Sequence, residues 1–255
     1  MIAYLQGLAP IAVAAFLTWL LSVSKQNVSI VDSLWSLLFL FAAIAYALAA
    51  PGLGPRSILV LVLVALWAMR LSIYITRRNW GAAEDRRYQA IRARNQPNFA
   101  LKSLYLVFAL QAILAWIVSL PLYAAITNDS RLGMLDLAGS FLWVLGFCFE
   151  AIGDWQLARF KAVAQNHGRV MDRGLWRYTR HPNYFGEFLL WWGFYLIALA
   201  AGGWWSIPGP LLMSVLLLRV SGVTLLEKDI GERRPAYADY KQRTNAFFPG
   251  PPRTR

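Results

Sequence analysis

Long uncharged runs, separated by short clusters of charge and turn residues, dominate the chain. Residues 2–24 carry no charge and Lys25 closes the run. A membrane-spanning helix needs about 20 mostly apolar residues, so this is the first predicted span. No Lys or Arg precedes it, so it lacks the basic start of a signal peptide and is expected to stay in place. The second predicted span, near 28–50, ends at the turn signal Pro51-Gly52-Leu53-Gly54-Pro55. The third lies near 57–76 and leads into a basic stretch, 77–100. The fourth, 103–126, is unbroken by charge, and a polar turn (Asn128, Asp129, Ser130, Arg131) precedes the fifth, near 137–158.

The last apolar block is too long for one crossing. Positions 188–218 are uncharged, and as a single helix they would measure roughly 46 Å at 1.5 Å per residue. Gly202-Gly203 and Pro208-Gly209-Pro210 interrupt the block in its middle. Two spans fit if they extend to about 183–201 and about 205–226. The expected fold is therefore all-α: a single integral membrane domain over 1–255, with seven transmembrane helices and a tail from 227.

Charge supports the count. With an outside N-terminus the inside segments are 24–28, 77–102, 159–183 and the tail, holding 1, 7, 6 and 7 Lys+Arg of the 25 in the chain. The outside turns hold only Arg56 and Arg131. This asymmetry follows the positive-inside rule and puts the C-terminus in the cytoplasm. It also explains the net charge of +12 without a nucleic-acid partner. Composition agrees: hydrophobic residues make up 58% and charged residues 15%, and the mean hydropathy is +0.45, outside the range of soluble domains. One cysteine, Cys148, excludes a disulfide scaffold, and two histidines, His167 and His181, give no zinc cluster, so no metal is expected.

Six ionisable residues fall within the predicted spans: Asp32, Arg70, Glu150, Asp154, Glu187 and Arg219. Each costs roughly 2.5–3.5 kcal/mol at a helix centre, so pairing or a water-filled cavity is required. All six lie in the inner parts of their spans, which predicts a polar cavity facing the cytoplasm. Glu150 with Asp154, and Asn183 with Glu187, are spaced i,i+4 and share a face; Trp67, Arg70 and Tyr74 line one face of span three. Salt bridges between helices are the structural alternative. Ion transport fits less well, because the outer halves of the spans carry no acid or base apart from tyrosine.

The stretch 168–187 carries the most specific chemistry. Pro182 suits the first turn of span six, whose free N–H groups and positive dipole end then face the cavity. Lys161, Arg169, Arg173, Arg177 and Arg180 nearby make that helix start a receptor for a phosphate-bearing ligand. The segment Gly174-Leu-Trp-Arg-Tyr178-Thr-Arg180-His181-Pro182-Asn183-Tyr-Phe-Gly-Glu187 resembles the signature of the steroid 5α-reductase-like membrane enzymes, which include sterol reductases and many bacterial members. The likeness extends to Arg219 and to the tail pattern Glu227, Tyr237-Ala-Asp-Tyr240 and Asn245-Ala-Phe-Phe-Pro249. It is firm over roughly the last 110 residues and weak before them. The Arg-His-Pro-x-Tyr-x-Gly core is shared with the isoprenylcysteine carboxyl methyltransferase-like proteins, which use S-adenosylmethionine. Asn183, Glu187 and Glu227-Lys228 favour the reductases.

The resemblance implies NADPH and reduction of an activated C=C bond in a lipophilic, steroid- or enone-like substrate arriving from the bilayer. A bacterial inner membrane is the expected location. Asn183 and Glu187 would face the nicotinamide carboxamide and ribose. Tyr178, Arg180, His181, Arg219 and Tyr240 resemble further cofactor contacts, Asp154 and Lys161 match ribose and phosphate positions, and Arg70 resembles a third-span arginine reaching the cofactor. Arg169 and Arg173 are candidates for the 2′-phosphate. No Gly-x-Gly-x-x-Gly fingerprint is present, so no Rossmann domain is implied. The chain departs from the steroid reductases in span two, where Asp32 stands in place of their Gln-Glu pair, and in span three, where their Tyr position matches Trp67. Asp32 with Tyr74 is the candidate catalytic acid. The stretch 77–100 is too long for a plain loop and is expected to form a cytoplasmic helix.

Overall fold

The structure is a computed structural model that describes residues 2–128, 130–220, 223, 227 and 235–253. Its elements are helices: α1 (Ile2–Ser24), α2 (Ile30–Ala49), α3 (Pro55–Asn79), α4 (Arg86–Arg94) and α5 (Phe99–Ser103). The chain continues through a π-helical stretch (Leu104–Ala109) into α6 (Leu110–Val118), followed by α7 (Leu120–Ile126), α8 (Met134–Ala162) and α9 (Pro182–Ala200). Then come α10 (Pro208–Val215), a second π-helical stretch (Leu216–Val220) and α11 (Tyr237–Arg243). Among the described residues no strand occurs.

Among the described residues, five helical segments are long and apolar enough to cross a membrane: Ala3–Ser24, Ile30–Ala49, Pro55–Asn79, Phe99–Val118 and Met134–Ala162. The protein is a multi-pass membrane protein. The two further spans of the sequence reading fall below that mark, for different reasons. The helix Pro182–Ala200 has 19 residues, but Asn183, Glu187, Trp191, Trp192 and Tyr195 dilute its apolar character. Trp204–Val220 is apolar but shorter, and of the expected continuation, 221–226, only residue 223 is described.

The surface has the polarity of a membrane protein. On α3, Ile58, Val62, Leu66, Met69 and Ile73 are exposed at helical spacing, while Val60, Val64, Trp67, Ala68 and Leu71 are buried. An apolar stripe of this length is a liability in water and an ordinary lipid-facing surface in a bilayer.

The chain divides into two compact units: residues 1–133 with 198–209, and residues 134–197 with 210–255. In the first, short polar side chains tie helices through backbone carbonyls. Ser36 donates to Ala68 (2.9 Å), Ser72 to Ser33 (2.8 Å) and Ser57 to Ile126 (2.7 Å). Such bonds matter in lipid, where no hydrophobic force drives one apolar helix against another. Tyr46 and Ser119 share a hydrogen bond of 2.7 Å, and the chain turns from α6 into α7 at Ser119, with Pro121 in the first turn of α7.

Candidate functional site

The second unit is built on a glycine seam. Gly139, Gly146 and Gly153 recur every seventh residue on α8, and Gly186 and Gly193 do so on α9. A Cβ on Gly146 would lie 2.5 Å from the Gly186 carbonyl oxygen, and Cβ atoms on Gly139 and Gly193 would each lie 2.7 Å from the other's carbonyl oxygen. The two backbones therefore touch, as in small-residue helix pairs in membranes. At one end of this seam the side chains change from glycine to acid and amide. Glu150, Asp154 and Glu187 are all buried, and Asn183 donates its Nδ2 to Asp154 Oδ1 at 3.3 Å. The helix α9 begins at Pro182, as its fixed φ and missing N–H favour.

The residues before α9 are clamped to the tail. Arg180 donates from Nε and Nη2 to the two carboxylate oxygens of Glu227, at 2.7 and 2.9 Å. Its Nη1 donates to the Lys241 and Thr244 carbonyls, at 3.1 and 2.5 Å. His181 Nε2 lies 3.0 Å from Glu227 Oε1, and Tyr237 donates to the same oxygen at 3.2 Å. Thr179 donates to Phe247 (2.7 Å), Tyr240 to Trp176 (2.5 Å) and Trp176 Nε1 to Gly153 (3.0 Å). Burial alone would raise the Glu227 carboxyl; the hydrogen bonds from His181 and Arg180, with their charges, outweigh it and hold the group at about 2. Burial and the Glu227 charge push the Tyr237 phenol up.

A second polar group lies in the first unit, at the start of α2. Asp32 Oδ1 accepts from the Tyr88 phenol at 2.6 Å and Oδ2 from Arg87 Nη2 at 2.7 Å, while Gln111 Nε2 donates to Tyr88 at 3.3 Å. The expected helix in 77–100 is α4, capped by Asp85, whose Oδ1 accepts from Arg87 N at 2.9 Å. Glu84 accepts from Val28 N at 2.8 Å and from Arg92 Nε and Nη2 at 2.8 and 2.7 Å. Burial works to raise Glu84, but Arg92 and the Val28 N–H hold it below the usual carboxylate range. Burial and then the Asp32 charge raise the Tyr88 phenol.

The structure thus sorts the sequence candidates. Asp154, Asn183 and Glu187 share one end of the α8–α9 seam. Arg180, His181 and Tyr240 form the clamp between motif and tail, so their polar groups serve the protein itself. Lys161, Arg169, Arg173 and Tyr178 are exposed in and around the connection between α8 and α9, and Arg219 is exposed on the second π-helical stretch. Arg70 and Tyr74 are half-buried on α3 in the first unit. The partners of Asp32 are Tyr88 and Arg87 rather than Tyr74. Sequence reasoning did not single out Tyr88, Arg87 or Gln111, or the role of Glu227 as acceptor. The run Glu84-Asp85-Arg86-Arg87-Tyr88, with an N-cap aspartate inside it, was the available signal for the first of these groups.

Together the helices and these two polar groups define a multi-pass, all-α membrane protein with a buried carboxylate–amide group beside an Arg-His-Pro helix start. The chain belongs to the family described as "Protein of unknown function (DUF1295)", which matches residues 18–244. It is 28% identical over 267 aligned positions to Uncharacterized protein C594.04c of Schizosaccharomyces pombe, covering 91% of this chain and 75% of that protein. It is also 29% identical over 82 residues to 3-oxo-5-alpha-steroid 4-dehydrogenase 1 of Bos taurus, a partial match covering 32% of each chain. No solved structure matches.

Proposed function

We propose that the protein is a membrane-embedded, NADPH-dependent reductase of an activated C=C bond in a lipophilic substrate, with seven spans, an outside N-terminus and a cytoplasmic tail. The observation that carries the reading is the pairing of Asn183 with Asp154, beside buried Glu187, directly after Arg180-His181-Pro182. The partial similarity to a steroid dehydrogenase supports it. The donor set suits a nicotinamide nucleotide: a helix start and a primary amide for the carboxamide, carboxylates for ribose hydroxyls, and exposed arginines for phosphate.

When bound, NADPH supplies a hydride to the carbon–carbon double bond. Asn183 and Glu187 orient the nicotinamide end, and the Asp154 contact fixes the direction in which the Asn183 amide points. Lys161 and Asp154 hold the ribose-phosphate portion, and Arg169 and Arg173 select the 2′-phosphate. Arg180 and His181 fix the start of α9 by holding Glu227. Reduction of an enone places negative charge on the substrate oxygen, which requires a hydrogen-bond donor.

Thermal unfolding of the detergent-purified protein with NADPH, NADH or S-adenosylmethionine tests the reading. A ligand at about 100 times its Kd adds about 2.7 kcal/mol. Stabilisation by NADPH above NADH is the expected result. Stabilisation by S-adenosylmethionine alone would overturn it and assign the same helix start to methyl transfer.

A further inference from the structure

The cytoplasmic end of α1, by the proposed orientation, forms with the start of α5 a cavity of about 340 Å³, within the range that holds small ligands. Val23, Val28, Phe99 and Ala100 give it an apolar wall, and Ser22, Ser103 and Arg92 a polar edge. Its depth is marked by Trp19, whose Nε1 donates to the Ala100 carbonyl at 2.9 Å. A tryptophan near the end of an apolar span is the usual sign of the membrane–water interface.

Arg92 gives the cavity its charge. Its Nε and Nη2 are held by Glu84 at 2.8 and 2.7 Å, and its guanidinium carbon lies 4.6 Å from the centre of the Phe99 ring. The side chain is therefore fixed before any ligand arrives, while Nη1 has no hydrogen-bond partner among the described residues. Ser22 and Ser103 donate to the carbonyls of Trp19 (2.8 Å) and Ala100 (2.7 Å). Lys25 and Lys102 are next in sequence to the lining residues Gln26 and Ser103. A preorganised guanidinium edge above an apolar wall, at interface depth, matches an amphiphile with an anionic head.

We propose that this cavity binds a membrane phospholipid, its phosphate on Arg92 Nη1 and its glycerol and upper acyl chain along Val23, Val28, Phe99 and Ala100. The site belongs to the first unit and does not depend on the reductase reading. The test is native mass spectrometry of the full-length protein in detergent, titrated with phosphatidylglycerol. Ala100→Leu fills the cavity without touching a charge or the backbone carbonyl that Trp19 and Ser103 use, and it is expected to abolish the tightest lipid adduct. Arg92→Gln is expected to weaken that adduct about tenfold, the scale of one charged hydrogen bond. An Ala100→Leu protein that binds the lipid like the unaltered protein overturns the proposal. So does displacement of the lipid by excess inorganic phosphate, which would mark a site for the free anion. If Arg92→Gln does not fold, Ala100→Leu decides alone.

Discussion

Glu227 holds the clamp between the Arg180-His181 segment and the tail, and replacing it by glutamine removes the charge while keeping the shape. Arg180 is buried and both carboxylate oxygens of Glu227 receive its donors, at 2.7 and 2.9 Å. Breaking one partner of a buried ion pair costs about 3–5 kcal/mol, because the remaining charge is left uncompensated. Protonation should imitate the substitution. The carboxyl titrates at about 2 in the folded protein against an ordinary value of 4.5. A depressed carboxyl contributes fully above its unfolded value and loses that contribution as pH falls towards the folded one. The amount lost is on the order of 3 kcal/mol, or roughly 6–12 °C in unfolding temperature for a chain of this size. The assay is thermal unfolding in detergent of the unaltered protein and Glu227→Gln between about pH 7 and about pH 2.5. Stability of Glu227→Gln should lie well below that of the unaltered protein at neutral pH, and the gap should close below about pH 4.5. Glu84 and Asp85 also titrate low, but both proteins carry them, so they cancel in the difference. A gap that stays constant over the whole range would refute the reasoning, since Glu227 would then not be the group whose charge holds the clamp.

Three further outcomes follow from the geometry. Gly146→Ala should cost about 1–3 kcal/mol in thermal unfolding, because its Cβ would meet the Gly186 carbonyl oxygen at 2.5 Å, whereas Gly52→Ala, with no atom within 4 Å, should be neutral. Asp85→Ala removes the cap of α4 and should cost about 1 kcal/mol, read as faster amide exchange across 86–94 with little change in α8 and α9. Asn183→Ala and Glu187→Ala should each abolish stabilisation by NADPH while leaving a folded protein; if both fail to fold, the cluster is structural and the cofactor assignment falls.

The sequence disclosed what depends on local pattern and concealed what depends on distant pairing. Uncharged runs of span length, the proline at the start of α9 and the i,i+4 acids of α8 are properties of neighbouring residues; five of the seven predicted spans, the proline and the acids appear in the structure where the pattern placed them. The face shared by Asn183 and Glu187 was readable by the same rule, but the reach of Asn183 to Asp154 required α8 and α9 to lie side by side. The glycines of the seam make that approach close, and their heptad spacing was visible without announcing its partner. Two kinds of residue escaped. Tyr88 and Gln111 lie 56 and 79 positions beyond Asp32, Tyr88 in a basic segment whose charge suggested only a cytoplasmic flank and Gln111 in the uncharged run of the fourth span, so nothing local tied them to a carboxylate in α2. Glu227 stood in a recognised tail pattern, but a pattern does not say whether an acid meets a ligand or another side chain. The structure answers that for this residue: with two donors from Arg180, one from His181 and one from Tyr237, its oxygens are committed to the protein. Arg180 and His181, just before the start of α9, therefore have a structural role in the clamp. By holding the tail they fix where α9 begins, and hence where Asn183 and Glu187 point.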